Sequence, residues 1–206
     1  LCRNRLKQDK VAIMQWTLPN ILTFARIIMI PIIAGLFFCP NSWGGWAALG
    51  VYTLACITDF FDGYLARIWK QESAFGKFMD PMADKLLIAV LLMMLIGFDR
   101  LTGLWIIPAI LILFREILIS GLREFLGPSN IKLPVSLLAK WKTTIQMFAL
   151  GFLIVGETGK SVLPQTLEVG RVGVTIAAIL TLITGYQYLK AGLDHIKTMD
   201  QSQKIN

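Results

Sequence analysis

The sequence predicts an all-α integral membrane protein with six transmembrane helices, preceded by a short amphipathic segment. Three observations carry that prediction. Of the 206 residues, 55% are hydrophobic and only 16% are charged, and mean hydropathy is +0.64. A soluble domain of this size carries more charge. The apolar residues fall in blocks near the ~20 residues that a membrane helix needs. Lys and Arg concentrate in alternate connecting segments, the pattern of cytoplasmic loops.

Residues 1–16 (LCRNRLKQDKVAIMQW) mix Arg3, Arg5, Lys7 and Lys10 with Leu6, Val11, Ile13, Met14 and Trp16, which suits a short helix on a membrane surface. The first span is expected over 20–39. Pro19 fits a helix start, Asn20 fits a cap, and Pro31 should kink the helix. Asn20, Thr23 and Arg26 recur at helical spacing, so they form one polar edge. An Arg inside an apolar run is costly unless it meets water or a partner, so this edge is expected to face a ligand. The run is long and lacks a small-residue cleavage site, which reads as a retained anchor.

The second span starts near Trp43 and runs to about Arg67, roughly 36 Å at 1.5 Å per residue. A linker over 68–76 follows. The later spans are expected over 77–98, 104–126, 137–156 and 169–191. A core of six helices would then occupy 17–193, with a polar tail over 194–206. The amino terminus, the 67–77 linker, the 123–142 region and the tail hold most of the Lys and Arg. The positive-inside rule therefore places both termini in the cytoplasm.

The net charge of +7 matches basic loops against an anionic leaflet. No basic run with interleaved aromatics points to nucleic acid. Cys2, Cys39 and Cys56 lack metal-ligand spacing and read as small hydrophobes. His195, the lone histidine, reads as a solvated tail residue.

The chemistry concentrates between the second and third spans. Asp59 and Asp62 are three apart on one helix, and Asp80 and Asp84 are four apart on the next, so each pair shares a face. Four carboxylates at a membrane edge repel one another and resist desolvation. Divalent cations relieve both costs, and hard oxygen ligands favour Mg²⁺ or Mn²⁺. Four Asp around two such ions is the arrangement for phosphoryl displacement. Gly63 and Gly76 let a ligand approach backbone. Arg67 offers a fork for phosphate oxygens, with Ala66 low beside it.

These residues spell D-x2-D-G-x2-A-R-x8-G-x3-D-x3-D without exception, from Asp59 to Asp84. The stretch resembles the signature of the CDP-alcohol phosphotransferase family. The resemblance implies a six-helix membrane core that displaces CMP from a CDP-linked donor with an alcohol acceptor. It further implies two divalent cations, Mg²⁺ or Mn²⁺, on Asp59, Asp62, Asp80 and Asp84, with Asp84 also the general base. Gly63, Ala66, Arg67, Ser73 and Gly76, with Asn20, would bind the donor. A homodimer in the bacterial cytoplasmic membrane is implied as well.

The segments LPNILTFARI, FREILISGLRE and AKWKTTIQM resemble the bacterial branch that joins CDP-diacylglycerol to glycerol 3-phosphate. Arg115, Arg123, Lys140 and Lys142 are the matching candidates for the acceptor phosphate, and Arg115 lies too deep in its helix to snorkel cheaply. Inositol phosphate and serine are alternative acceptors, although serine needs no phosphate cradle. A divalent-cation transporter is a rival from another class, but it would spread its carboxylates through the membrane depth. A non-catalytic lipid-binding scaffold would need no carboxylate base.

Overall fold

The computed structural model describes residues 18–39, 42–69, 74–126 and 137–205, all helix or short connection and without strands among them. The amphipathic segment expected over 1–16 and Ser73 lie outside these residues. Six α-helices occur among the described residues: α1 (Leu18–Phe37), α2 (Ser42–Trp69), α3 (Ala74–Gly97), α4 (Ile106–Leu126), α5 (Leu137–Val155) and α6 (Thr166–Ile205). Short 3₁₀ turns cover Gly103–Trp105 and Gly156–Ser161.

Among the described residues, three stretches are long and apolar enough to cross a membrane: Asn20–Phe37, Gly103–Glu124 and Thr166–Leu193. By the same measure α2, α3 and α5 do not stand out, because each carries charged side chains at one end. Boundaries differ from expectation at two places. Helix α1 already begins at Leu18, so Asn20 sits inside the first turn and is buried rather than serving as a cap. Helix α6 continues past 191 to Ile205. Beyond Gly192 the chain contains neither Gly nor Pro, so nothing interrupts propagation of a helix already formed.

The chain divides into two units, Leu1–Met94 and Leu95–Asn206. In the first, α1 lies along α2, and Ile30, Ile33, Ala48, Tyr52, Ala55 and Leu91 are buried. In the second, α6 packs against both α4 and α5. Gly170 and Gly173 permit the close approach of α5. A Cβ at either would come within 2.7 Å of Leu153 or Ala149, the small-residue contact by which apolar helices pack in lipid.

A turn anchors the ends of the second unit. Arg100 Nη1 donates to the Val155 carbonyl at 3.2 Å, and Arg171 Nε donates to the Arg100 carbonyl at 3.0 Å. Gly156 adopts φ +54, and a Cβ there would overlap the Arg100 guanidinium. Burial draws the Arg100 guanidinium below its ordinary range, and nearby Glu157 pulls it back.

The distribution of side chains inverts that of a soluble protein. Ile28, Leu54, Phe60, Ile110, Phe114, Ile117, Ile179 and Tyr186 are exposed, whereas Asn20, Thr23, Arg26, Arg115, Lys142, Gln146, Thr181 and Thr184 are buried. Large apolar residues outside and polar residues inside suit a lipid-facing surface. Cys39 and Cys56 are free thiols, the first exposed and the second partly so, not the buried small hydrophobes expected.

Candidate active site

Two polar clusters are built into the helices, one in each unit. The first draws on α1, α2 and α3. Helical spacing puts Asn20, Thr23 and Arg26 on one face of α1, and all three are buried. Arg26 is 0% exposed, while the Asp59 and Asp84 side chains are 46% and 48% exposed. Arg26 Nη1 contacts one carboxylate oxygen of each, at 2.8 Å in both cases. One turn away on each helix, the Thr23 hydroxyl donates to Asp80 Oδ1. The polar edge of α1 thus meets the motif's carboxylates, and Asp59 of α2 and Asp84 of α3 are gathered on one nitrogen.

This arrangement has an electrostatic logic. A guanidinium with no access to water must find anions, and a buried cation left alone costs several kcal/mol. The carboxylates are less demanding, because half of each side chain reaches solvent. The contacts seen join three carboxylates to one guanidinium and one hydroxyl, so the centre carries excess negative charge.

Among the described residues no group of three or more His, Cys, Asp or Glu side chains is already gathered as a metal cage. The Asp62 side chain lies outside the described ones. The donor chemistry nonetheless suits hard cations: Asp59, Asp80 and Asp84 offer only carboxylate oxygens, held on adjacent turns by partners on α1. Of the expected donor-site residues, Gly76 is buried in the first turn of α3 and Asn20 is buried in α1. Gly63, Ala66 and Arg67 fall on the last turns of α2, where the helix is described and the side chains are not.

The second cluster lies on α4, α5 and α6. Arg115 and Lys142 are both buried and converge on Glu116. Arg115 Nη1 reaches Glu116 Oε1 at 3.4 Å, and Lys142 Nζ donates to the same oxygen. Arg115 Nη2 also donates to Thr184 Oγ1 at 3.2 Å. The Tyr188 ring takes two guanidinium groups, Arg115 at 5.6 Å and Arg123 at 4.9 Å from its centroid, as cation–π contacts. Gly185 makes room for this, since a Cβ there would lie 2.9 Å from Arg115 Cγ.

Three of the four expected acceptor-site cations are therefore brought together. Lys140 is not among them. It is exposed on α5, and two residues' separation from Lys142 turns it to another side of the helix. Tyr188 and Thr184 were not anticipated as members of the cluster. Arg115 Nε, the Tyr188 hydroxyl, Gln146 Oε1 and Thr181 Oγ1 are buried there without a hydrogen-bond partner. Buried polar atoms ordinarily have partners, so this concentration marks a place suited to a polar ligand.

An all-helical chain with carboxylates at this spacing defines a class of membrane transferase. The family model for CDP-alcohol phosphatidyltransferase matches residues 16–185, and the chain belongs to that family. Among individual proteins, it is 49% identical over 174 residues to the CDP-diacylglycerol–glycerol-3-phosphate 3-phosphatidyltransferase of Rickettsia typhi, covering 84% of this chain and 96% of that one. The enzyme of the same name from Cereibacter sphaeroides is 40% identical over 222 residues, covering 89% and 99%. That of Shigella flexneri serotype 5b is 38% identical over 184 residues, covering 86% and 96%.

Proposed function

We propose that this chain transfers the phosphatidyl group of CDP-diacylglycerol to glycerol 3-phosphate, yielding phosphatidylglycerophosphate and CMP. The observation that carries the reading is the gathering of Asp59, Asp80 and Asp84 around the edge of α1, in a chain whose relatives at 38–49% identity bear that enzyme name.

Asp84 acts as general base. It accepts the proton of the acceptor's 1-hydroxyl as that oxygen bonds to the β-phosphorus of the donor. The bond from that phosphorus to the bridging oxygen breaks, and CMP departs with the electron pair. Asp59, Asp62, Asp80 and Asp84 hold two divalent cations, Mg²⁺ or Mn²⁺. When bound, these supply positive charge for the diphosphate and for the leaving group. Gly63, Ala66 and Gly76 keep the donor's approach open, and Arg67, Ser73 and Asn20 contact its polar groups. Arg115, Lys142 and Arg123 hold the acceptor's phosphate, and the orphaned Arg115 Nε and Tyr188 hydroxyl supply further hydrogen bonds to it.

The same reading makes each of the six helices a span, with both termini and the acidic centre on the cytoplasmic face of the bacterial inner membrane. Support comes from the basic segments at 67–77 and 123–142. Homodimerisation rests on the family resemblance. The test is CMP release by the purified protein with CDP-diacylglycerol, Mg²⁺ and a panel of acceptors. Glycerol 3-phosphate is expected to support release, and inositol phosphate and serine are not. Release with either of those instead would overturn the acceptor assignment, and no release with any would overturn the transfer itself.

A further inference from the structure

We propose that Arg26 is a resident counter-cation of the acidic centre: it binds the carboxylates in the absence of metal and competes with divalent ions for Asp59 and Asp84. This rests on the reading of that centre as a metal site and adds to it a residue outside the acidic motif.

The argument is one of unequal need. Arg26 is fully buried on an apolar helix of 20 residues with no acidic residue in its first turn. Carboxylates reaching it make its charge tolerable there, Asp59 and Asp84 among them. Asp59 and Asp84 are about half exposed and can be solvated without it. In return, Arg26 relieves the repulsion between Asp59 of α2 and Asp84 of α3, which meet on it. Its Nη1 is bonded to one oxygen from each residue.

Those same carboxylates are the hard donors that a divalent ion would use. A cation arriving there must share them with a positive group a few ångströms away. At that separation like charges still oppose each other, because the screening between partly buried groups is well short of that in bulk water. Metal affinity is therefore held below what the carboxylates alone would give, and the ion-free centre stays assembled. Thr23 differs in kind. Its hydroxyl orients Asp80 but brings no charge, so it has no part in the competition.

A purely structural role predicts the opposite sign. If Arg26 only braces the carboxylates, its removal splays them and metal binding weakens. The experiment is Mn²⁺ titration of purified full-length protein in detergent, followed by the electron paramagnetic resonance of free Mn²⁺. Melting temperatures are measured in parallel in EDTA and in saturating Mn²⁺. The variants are Arg26→Gln, which keeps polarity and loses charge, and Arg26→Lys, which keeps charge.

Arg26→Gln is expected to bind Mn²⁺ at least about tenfold more tightly than the parent. It is expected to melt lower in EDTA and to gain more from Mn²⁺ than the parent does. Arg26→Lys should bind Mn²⁺ within about threefold of the parent. Unchanged or weaker binding by Arg26→Gln overturns the proposal. So does failure of that variant to fold when prepared in Mn²⁺, since the ion should replace the missing charge. If the parent itself takes up no Mn²⁺, the metal reading falls, and the competition falls with it.

Discussion

The two polar clusters are electrostatic opposites built on one plan. In the first unit a buried cation, Arg26, is shared by two carboxylates. In the second a carboxylate, Glu116, is shared by two buried cations, Arg115 and Lys142. Each resident counter-ion offsets only part of the charge around it. The acidic centre is left short of positive charge, and the basic cluster, with Arg123 at Tyr188, is left short of negative charge. That contrast agrees with the ligands proposed for them, cations at the acidic centre and a phosphate at the basic cluster. It also explains how so many ionisable groups persist in an apolar chain, because partial neutralisation from within lowers the cost of burial.

The largest expected effect tests whether the acidic centre does chemistry rather than mere binding. Asp84→Asn keeps the size of the side chain and one oxygen, but it cannot take a proton at neutral pH. CMP release should fall by about three orders of magnitude, the middle of the range for loss of a positioned base. The protein should remain folded and inserted, as judged by its melting profile. Retained turnover would leave Asp84 as an electrostatic ligand and nothing more.

Next in size is a test of the basic cluster. Arg115→Gln removes a charged donor from a site where Lys142 and Arg123 remain. Loss of hydrogen bonds to a charged group, about 1.5–3 kcal/mol, should raise KM for glycerol 3-phosphate roughly 10- to 100-fold. KM for CDP-diacylglycerol should stay within about twofold, because this binding is separable from donor chemistry. Equal rises in both would mean that the two clusters are not specialised as their charges suggest.

Glu116→Gln sharpens the parallel with Arg26. It withdraws the anion that Arg115 and Lys142 share, leaving two buried cations to repel each other. A loss of about 2 kcal/mol is expected for breaking a partly buried network of this kind, or roughly 4–8 °C in Tm for a chain of this length. Inorganic phosphate should restore more of that loss in the variant than it adds to the parent. A variant that melts like the parent would show Glu116 to be incidental to the cluster.

What could be read beforehand, and what could not, follows from sequence separation. The carboxylates announced themselves because their spacing is local: Asp59 with Asp62 and Asp80 with Asp84 lie within single helical turns. The polar edge of Asn20, Thr23 and Arg26 was legible for the same reason, and so was the cost of an Arg in an apolar run. Its partner was not legible. Arg26 and Asp84 are 58 residues apart, and nothing local says which face of α1 meets which face of α3. Glu116 adjoins Arg115 in sequence, so a pair between neighbours is the local expectation. Its second partner, Lys142, lies 26 residues on. Thr184 and Tyr188 sit among Leu, Ile and Gly, where such residues ordinarily fill a core. The nearest signal was Gly185 between them, which a tightly packed guanidinium explains only once the structure is known.

The smallest effect is the most discriminating test of helical phase. Lys140 and Lys142 are chemically identical and two residues apart, so the sequence alone offers them equally to an acceptor. On a helix of 3.6 residues per turn they point about 200° apart, and α5 buries Lys142 beside Glu116 while leaving Lys140 exposed. Lys142→Ala should raise KM for glycerol 3-phosphate about tenfold, in line with one charge-assisted contact. Lys140→Ala should change it by less than about twofold, as for an exposed charge, and should act instead through attraction to anionic lipid, worth about 1 kcal/mol at the membrane surface. The measurement is acceptor KM in vesicles with and without anionic lipid. If Lys140→Ala matches Lys142→Ala in neutral vesicles, the face of α5 that meets the acceptor is the other one, and the division of labour around Glu116 has to be redrawn.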